Sequence, residues 1–327
     1  MGIAKMPPPL HDSKSCVMVS AFRHGVIMWR FVQVTDPHLA SIFDGEWNHK
    51  VICSMMPQVM ACLAHDLAQT LPDFILATGD IASKQTHAAM LEARDLMDSL
   101  GVRYYPMGGN HDLVVEDSRR WFIEAFGHCL PTANTYYSFS HKGLHFCVLD
   151  PWWLWSDGTL SGVSEASVME ILDKDIRGAR WALPPEQFAW LEQDLRTHSH
   201  EQTIVALHYP PIPAPTRLKF PGFKDSGKLE NGPLLLERLS MYPQVKAIFT
   251  GHVHMNYVEY SHGITQVTTS SLPEFPCEYR EIEVHDDRLE IYTRPLSDPS
   301  FAERSRIPSH SITAGEERDR RVTISLL

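Results

Sequence analysis

The hydrophobic positions along the chain change their spacing several times, and each spacing predicts a different element. Residues 26–34 are almost continuously apolar, which is typical of one or two short buried strands. Residues 47–70 place apolar side chains at helical spacing, and residues 87–101 do the same before a glycine that suits a helix C-cap. Further helices are predicted over 184–195 and 233–241, and further strands over 74–80, 102–107, 203–208, 245–254, 263–271, 279–285 and 288–295.

The order of these elements predicts the fold class. Strands and helices alternate up to residue 107, which indicates parallel β-α-β units. Residues 135–150 predict a hairpin that turns at Lys142 and Gly143. We divide the chain into a flexible leader over 1–25, one domain over 26–297 with an insertion over 151–180, and a C-terminal tail over 298–327.

Charge and cysteine usage exclude several classes of protein. The formal charge of −11 opposes binding to nucleic acid or to an anionic membrane surface. The six cysteines are scattered without a CxxC pair, which favours free thiols in a reducing compartment over a disulfide framework. No apolar run is long enough for a membrane span, and the N-terminus has no signal-peptide h-region. We therefore expect a cytoplasmic protein.

The strand predicted over 26–34 ends in an acid and an imidazole, Asp36 and His38, on either side of Pro37. Side chains two residues apart on a strand point to the same side, so these two groups could reach one point in space. The competing interpretation is a simple turn, because Asp-Pro commonly opens one.

Polar groups also follow four other predicted strands, and this favours a shared site over a simple turn at Asp36 and His38. These groups are Asp80, Asn110, His111, His208, His252 and His254. Ligand sites in open α/β sheets form beyond the carboxyl ends of the strands. Five strands that end in Asp, Asn or His at one edge therefore indicate one shared site.

The motifs that contain these residues, and their order along the chain, resemble those of the calcineurin-like metallophosphoesterase family. They are D-x-H (Asp36, His38), G-D (Gly79, Asp80), G-N-H-D (109–112), a lone histidine (His208) and G-H-x-H (251–254). The sequences HYPP (208–211) and GNHD look most similar to the branch that contains bacterial cyclic-nucleotide and glycerophosphodiester phosphodiesterases. The resemblance implies a four-layer α/β/β/α sandwich, with two mixed sheets flanked by helices.

The resemblance also implies a centre of two metal ions. One ion would be held by Asp36, His38 and His254, and the other by Asn110, His208 and His252, with Asp80 bridging both. Such a mixed nitrogen and oxygen set suits Mn, Fe, Co or Zn, and is too rich in nitrogen for Mg or Ca. His111 would donate to the phosphate or protonate the leaving oxygen, whereas Asp112 is expected to orient the loop.

The implied activity is hydrolysis of a small phosphodiester, such as a cyclic nucleotide or a glycerophosphodiester, by a hydroxide shared between the ions. A phosphomonoesterase or protein phosphatase remains an alternative. A non-catalytic binding module, such as the retromer subunit that resembles these enzymes, is a second alternative. That module would be expected to have lost ligands, and this chain retains all seven.

The insertion over 151–180 departs from the compact pattern of the family. It begins with Trp152, Trp153 and Trp155, which we expect to be exposed indoles beside a strand end. Two interpretations stay open: a flap or contact between subunits of a homo-oligomer, and a lid or wall that contacts the substrate.

Overall fold

Two six-stranded mixed sheets contain most of the strands of this protein. The computed structural model describes residues 27–84, 86–113, 117–155, 157–161, 181–224 and 227–327. The strands in chain order are β1 (Trp29–Val34), β2 (Gly45–Glu46), β3 (Lys50–Val51), β4 (Ile75–Ala77), β5 (Tyr104–Pro106), β6 (Tyr137–His141), β7 (Leu144–Val148), β8 (Trp152–Leu154), β9 (Leu160–Ser161), β10 (Trp181–Ala182), β11 (Gln202–Ala206), β12 (Val245–Thr250), β13 (Tyr257–Ser261), β14 (Ile264–Thr268), β15 (Glu278–Val284), β16 (Arg288–Pro295) and β17 (Arg321–Ser325). The α-helices are α1 (Met56–Thr70), α2 (His87–Asp98), α3 (Ser118–Phe126), α4 (Pro185–Thr197), α5 (Gly232–Leu239), α6 (Ser300–Ser305) and α7 (Glu317–Arg320).

The strand order follows the predicted β-α-β units. In the first sheet the order is β17-β16-β15-β1-β4-β5, and β1, β4 and β5 run parallel. In the second sheet the order is β13-β14-β12-β11-β7-β6, and β7, β11, β12 and β14 run parallel. The predicted hairpin is β6–β7, and both residues of its turn have positive φ, +45° at Lys142 and +88° at Gly143.

The two sheets pack face to face through aromatic side chains. Phe31 of β1 is fully buried, and its ring lies 5.5 Å from that of Phe146 on β7 and 5.9 Å from that of Phe249 on β12. Burying one such side chain stabilises the fold by about 1.5–3 kcal/mol. Residues on the buried faces of the helices belong to the same hydrophobic core, so the predicted sandwich of mixed sheets and flanking helices is confirmed.

The helix predicted over 47–70 is shorter than expected. It begins at Met56, because Pro57 suits a first helical turn and residues 45–51 form the small β2–β3 hairpin instead. Val59, Leu63 and Leu67 then recur every four residues and are fully buried. The apolar spacing was therefore informative only from residue 56 onward.

The start of the insertion is more buried than the sequence indicated. β8 pairs with β9 and β10, and Trp153 is fully buried with its ring 5.3 Å from that of Trp181. The expectation of an exposed indole is therefore wrong for Trp153, whereas Trp152 and Trp155 are half-buried. Residues 162–180 lie outside the described residues, so the choice between lid and subunit contact stays open.

Residues beyond 297 join the first sheet. β17 pairs with β16 along Arg321–Ser325, where sequence periodicity predicted no strand. The leader over 1–25 lies outside the described residues, and the division into domains stays a prediction. Within the described ranges, no helix is both long and apolar enough to span a membrane. The five cysteines in those ranges are free thiols: Cys53, Cys62, Cys129, Cys147 and Cys277.

Arg280 connects the C-terminal residues to both sheets. Its side chain is fully buried and donates to the backbone carbonyls of Thr268 (3.1 Å) and Asp319 (2.6 Å) and to the hydroxyl of Thr293. A buried arginine on β15 thus holds the second sheet, β16 and α7 together.

We predict that Arg280→Met lowers the free energy of unfolding by about 2–4 kcal/mol, because it leaves buried carbonyls without donors. Urea unfolding followed by circular dichroism measures this loss. The matched control is Arg318→Ala, since that side chain is 64% exposed and its ion pair with Glu316 is worth less than about 1 kcal/mol. Equal effects of the two substitutions would contradict the assigned role.

Candidate metal centre

Five strands deliver polar side chains to one edge of the two sheets. Asp36 follows β1, Asp80 follows β4, and the Asn110–His111 pair follows β5. His208 follows β11, and the pair His252 and His254 follows β12. Because the strands within each group are parallel, their carboxyl ends meet at the same edge. The structure therefore brings together the predicted carboxylates and imidazoles, and Asn110 precedes His111 at the same edge.

Most of these residues have a strained backbone. Positive φ angles occur at Asp36 (+47°), His38 (+45°), Asp80 (+49°), His252 (+70°) and His254 (+55°). For residues with a side chain this left-handed conformation costs of order 1–3 kcal/mol each, and it persists only where the surrounding structure imposes it. The loops after β1 and β4 impose it on each other: Asp36 N donates to Gly79 O and His38 N to Asp80 O, both at 3.0 Å.

Two glycines allow the loops to approach the acidic groups closely. A Cβ atom added to Gly109 would lie 2.2 Å from Oδ1 of Asp80. A Cβ added to Gly251 would lie 1.9 Å from Oγ1 of Thr35 and 2.5 Å from Oδ2 of Asp36. Only glycine fits beside these carboxylates, which explains the glycines in the G-N-H-D and G-H-x-H motifs.

Donor atoms converge at two neighbouring points. Around the first point, Nε2 of His254 lies 3.2 Å from Nε2 of His38 and 3.3 Å from Oδ1 of Asp36. Around the second, Nε2 of His208 lies 3.2 Å from Oδ2 of Asp80 and 3.7 Å from Oδ1 of Asp36. Potential ligand atoms lie within 4.8 Å of one another in each of three groups, namely Asp36, His38 and His254; Asp80, His208 and His252; and His38, Asp80 and His111.

Several of these atoms are buried and have no hydrogen-bond partner within the described ranges. They include Oδ1 of Asp36, Oδ1 of Asn110 and Nε2 of His208. Buried polar atoms in folded proteins are almost always paired, so these three atoms fit a site that binds a cation. The set of imidazoles, carboxylates and an amide oxygen fits transition-metal ions. The assignment of each ligand to one of two ions stays a prediction.

The remaining atoms of the same side chains are held by the surrounding structure. Nδ1 of His208 donates to the carbonyl of Thr78 at 2.8 Å, which leaves its Nε2 to face the site. Oδ2 of Asp36 accepts from Oγ1 of Thr35 (2.6 Å) and from the backbone N of His252 (3.0 Å), which leaves Oδ1 to face the site. Each group therefore presents a lone pair in a fixed direction.

The charges at the centre are strongly coupled. Burial alone would lower the pKa of His208, but Asp80 and Asp36 outweigh burial and raise that pKa to about 9. In the same way burial would raise the pKa of Asp80, but the positive charges of His208 and His111 lower it well below its usual range. In His38 burial dominates and lowers the pKa to about 3. A metal ion must therefore displace a proton from His208, so metal binding should strengthen as the pH rises.

Two residues near the centre support it without facing it. Asp112 is fully buried and accepts from the backbone N of Gly109 (2.9 Å), Ile81 (3.0 Å) and Ala82 (2.8 Å), which fits the orienting role expected of it. The other is Glu274, which sequence analysis missed. It comes three residues after the strand predicted over 263–271, but it belongs to none of the motifs, so the motifs did not point to it.

His111 has a different environment from the other histidines. Its backbone N donates to Oδ1 of Asp80 at 2.8 Å, and its half-buried ring lies edge-on to that of His38 at 4.6 Å. Its Nδ1 is buried and has no hydrogen-bond partner among the residues that the structure describes. The ring is therefore placed beside the convergent atoms with one nitrogen free.

Comparison with known proteins agrees with the motifs. The family model described as "Calcineurin-like phosphoesterase" matches residues 30–256. A "Probable cyclic nucleotide phosphodiesterase" of Synechococcus sp. is 26% identical over 83% of this chain and 93% of its own. A "Probable glycerophosphodiester phosphodiesterase" of Arcobacter nitrofigilis is 27% identical over 68% of this chain and 71% of its own.

A solved structure has the same fold. It is a dimetal phosphatase from Danio rerio, with a TM-score of 0.64 and 15% identity, and the match covers 91% of this chain and 99% of that one. At this identity the likeness concerns the fold alone.

We predict that Asp80→Asn weakens metal binding at least about 100-fold, since even residues that only support a ligand contribute 10- to 100-fold. Metal content after dialysis, measured by inductively coupled plasma mass spectrometry, tests this. Asp66→Asn is the control, because Asp66 is a buried carboxylate on α1 that bonds Ser297 and no residue of the centre. Full metal occupancy in Asp80→Asn would refute the bridging role.

Proposed function

Because the chain belongs to the calcineurin-like phosphoesterase family, we propose that it is a metal-dependent phosphodiesterase that acts on small diesters. The observation that carries this proposal is a pair of side-chain groups at the edge where five strands end, in each of which the potential ligand atoms lie within 4.8 Å of one another: Asp36, His38 and His254, and Asp80, His208 and His252. The activities for which the two relatives are named favour a cyclic nucleotide or a glycerophosphodiester as substrate.

The proposed site holds two ions of Mn, Fe, Co or Zn on seven residues. These are Asp36, His38, Asp80, Asn110, His208, His252 and His254. When bound, such ions supply positive charge that polarises the phosphoryl group and makes water a stronger nucleophile at neutral pH. The protein fixes the direction of each donor atom through its strained loops and so reduces the reorganisation needed during the reaction.

His111 is the group that we assign to proton transfer or to hydrogen bonding with the phosphate. Its ring is half-buried beside His38 and so lies next to the ligands without belonging to the seven. An imidazole in this position can donate to a phosphate oxygen or to the leaving oxygen.

The charge of the site favours a diester over a monoester. The five motifs contain two carboxylates that face the convergent atoms, and they contain no lysine or arginine. A diester carries one negative charge and a monoester carries about two. A site in which no lysine or arginine of the motifs adds to the charge of the metal ions is therefore slightly better matched to the diester.

We also propose a cytoplasmic enzyme whose partner is a small phosphoester. The free thiols described above suit a reducing compartment. A homo-oligomer remains compatible with the half-buried Trp152 and Trp155.

We predict that the protein supplied with Mn, Fe, Co or Zn hydrolyses bis-para-nitrophenyl phosphate with a higher kcat/KM than para-nitrophenyl phosphate. Release of nitrophenol, followed by absorbance, measures both reactions. The reverse order would favour the phosphomonoesterase alternative. Two bound ions with no hydrolysis of either ester, or of cyclic AMP and glycerophosphodiesters, would favour the binding module.

We predict that His111→Ala keeps its metal ions while kcat for the diester falls by about 10²- to 10⁴-fold, the range for a lost general acid or charge-stabilising donor. Steady-state kinetics and metal analysis of the same sample separate the two effects. His87→Ala is the control, since His87 is 42% exposed and pairs only with Glu124 and the ring of Trp121. A parallel loss of metal would show that His111 is a ligand.

A further inference from the structure

Glu274 is a fully buried carboxylate beside the candidate metal centre. One of its oxygens accepts from Nδ1 of His254, and the other accepts from the backbone N of His49. Residue 274 lies beyond the region 30–256 that the family model matches. The contact is therefore a feature of this chain outside its recognised motifs.

This contact determines which nitrogen of His254 faces the centre. Nδ1 of His254 donates its hydrogen to the Glu274 carboxylate, which leaves Nε2 as the nitrogen that faces the centre and would ligate a metal ion. That Nε2 lies 3.2 Å from Nε2 of His38 and 3.3 Å from Oδ1 of Asp36. A carboxylate in this position also makes the imidazole a more basic ligand.

The corresponding support of His208 is different. Its Nδ1 donates to the backbone carbonyl of Thr78, which follows β4 directly. That acceptor is fixed by the sheet, whereas the carboxylate of Glu274 sits on a side chain that must itself be held in place. The position of His254 therefore depends on whatever holds Glu274.

Residues of the C-terminal segment 307–313 hold His49, the second partner of Glu274. The backbone N of Ile307 donates to Nδ1 of His49 at 2.9 Å. Nε2 of His49 therefore carries the ring hydrogen, and it lies 2.8 Å from Oγ1 of Thr313 and 3.1 Å from the carbonyl of His310. Both ring nitrogens of His49 are thus bonded to one short segment.

We propose that Glu274 is a positioning residue for the metal centre, which holds His254 as a ligand, and that segment 307–313 keeps Glu274 in place through His49. The proposal rests on the proposed function in one respect, the ligation of a metal by His254. It adds a support that lies outside the family motifs, and it gives the C-terminal residues a role in metal binding.

The test is a metal titration of full-length protein after removal of metal by a chelator. With Mn²⁺ as the probe, isothermal titration calorimetry should show affinity weakened about 10- to 100-fold in Glu274→Ala. Glu274→Gln should be weakened less, because its amide oxygen can still accept from His254 while its NH₂ group faces the N–H of His49. Glu278→Gln is the matched control: Glu278 is also buried, but it bonds Asn256 and Arg320 and no proposed ligand.

A third variant covers the case in which the Glu274 variants fail to fold. Thr313→Val keeps the shape of the side chain and removes its hydrogen bond to His49, and it should weaken Mn²⁺ binding several-fold. Wild-type affinity in a folded Glu274→Ala protein would overturn the proposal. Wild-type affinity in Thr313→Val would overturn the part that concerns segment 307–313.

The same titration separates this proposal from the proposed function. Wild-type protein that binds two ions but hydrolyses no ester would refute the function and leave the positioning role to be decided by the variants. Wild-type protein that binds no ion would overturn both.

Discussion

Two carboxylates, Asp36 and Asp80, are buried at the edge where the sheets meet, and neither can remain ionised there without positive charge nearby. Nε2 of His208 lies within 3.7 Å of both, which gives them a shared cationic neighbour when the ring is protonated. The same atoms would face a metal ion once protons leave. The need for positive charge at this edge explains why imidazoles surround the two acids.

The backbone is organised to meet that need. Left-handed residues after β1, β4 and β12 turn their side chains toward the convergent points, and glycines beside them leave room for the acids. The strain is offset by burial of the two sheets against each other, as at Phe31, and by hydrogen bonds between neighbouring loops. The stability of the core therefore offsets the free-energy cost of the left-handed residues at the edge of the sheets. Arg280 extends the same framework to the C-terminal helix α7.

The sequence predicted that these side chains lie close together, because they follow strands at regular positions. Asp36, Asp80 and His208 could be placed at one edge from strand order alone, since parallel strands align their carboxyl ends. Apolar spacing located α1 but misjudged its start, because a helical pattern over 47–55 is overridden by Pro57 and the β2–β3 hairpin. Local patterns also cannot show that Trp153 packs on Trp181, which depends on pairing between distant segments.

Glu274 shows more clearly which contacts sequence motifs cannot predict. It becomes relevant only because β14 and β15 return the chain to the edge where β12 delivered His254. No spacing rule records a contact made through the tertiary fold. The β17 strand was missed although Arg321–Ser325 alternates between polar and apolar residues, because the segment is short, follows a run of charged residues and is defined by its pairing with β16.

The central claim is that the edge residues hold two ions close enough to share Asp80. The most direct measurement is electron paramagnetic resonance of the wild-type protein after it has been loaded with Mn²⁺. The account predicts two ions per chain and a spectrum of exchange-coupled manganese, because a bridging carboxylate keeps the ions within a few ångströms of each other, about 3.5–4 Å in two-metal sites. The six-line spectrum of isolated Mn²⁺ at one ion per chain would contradict it.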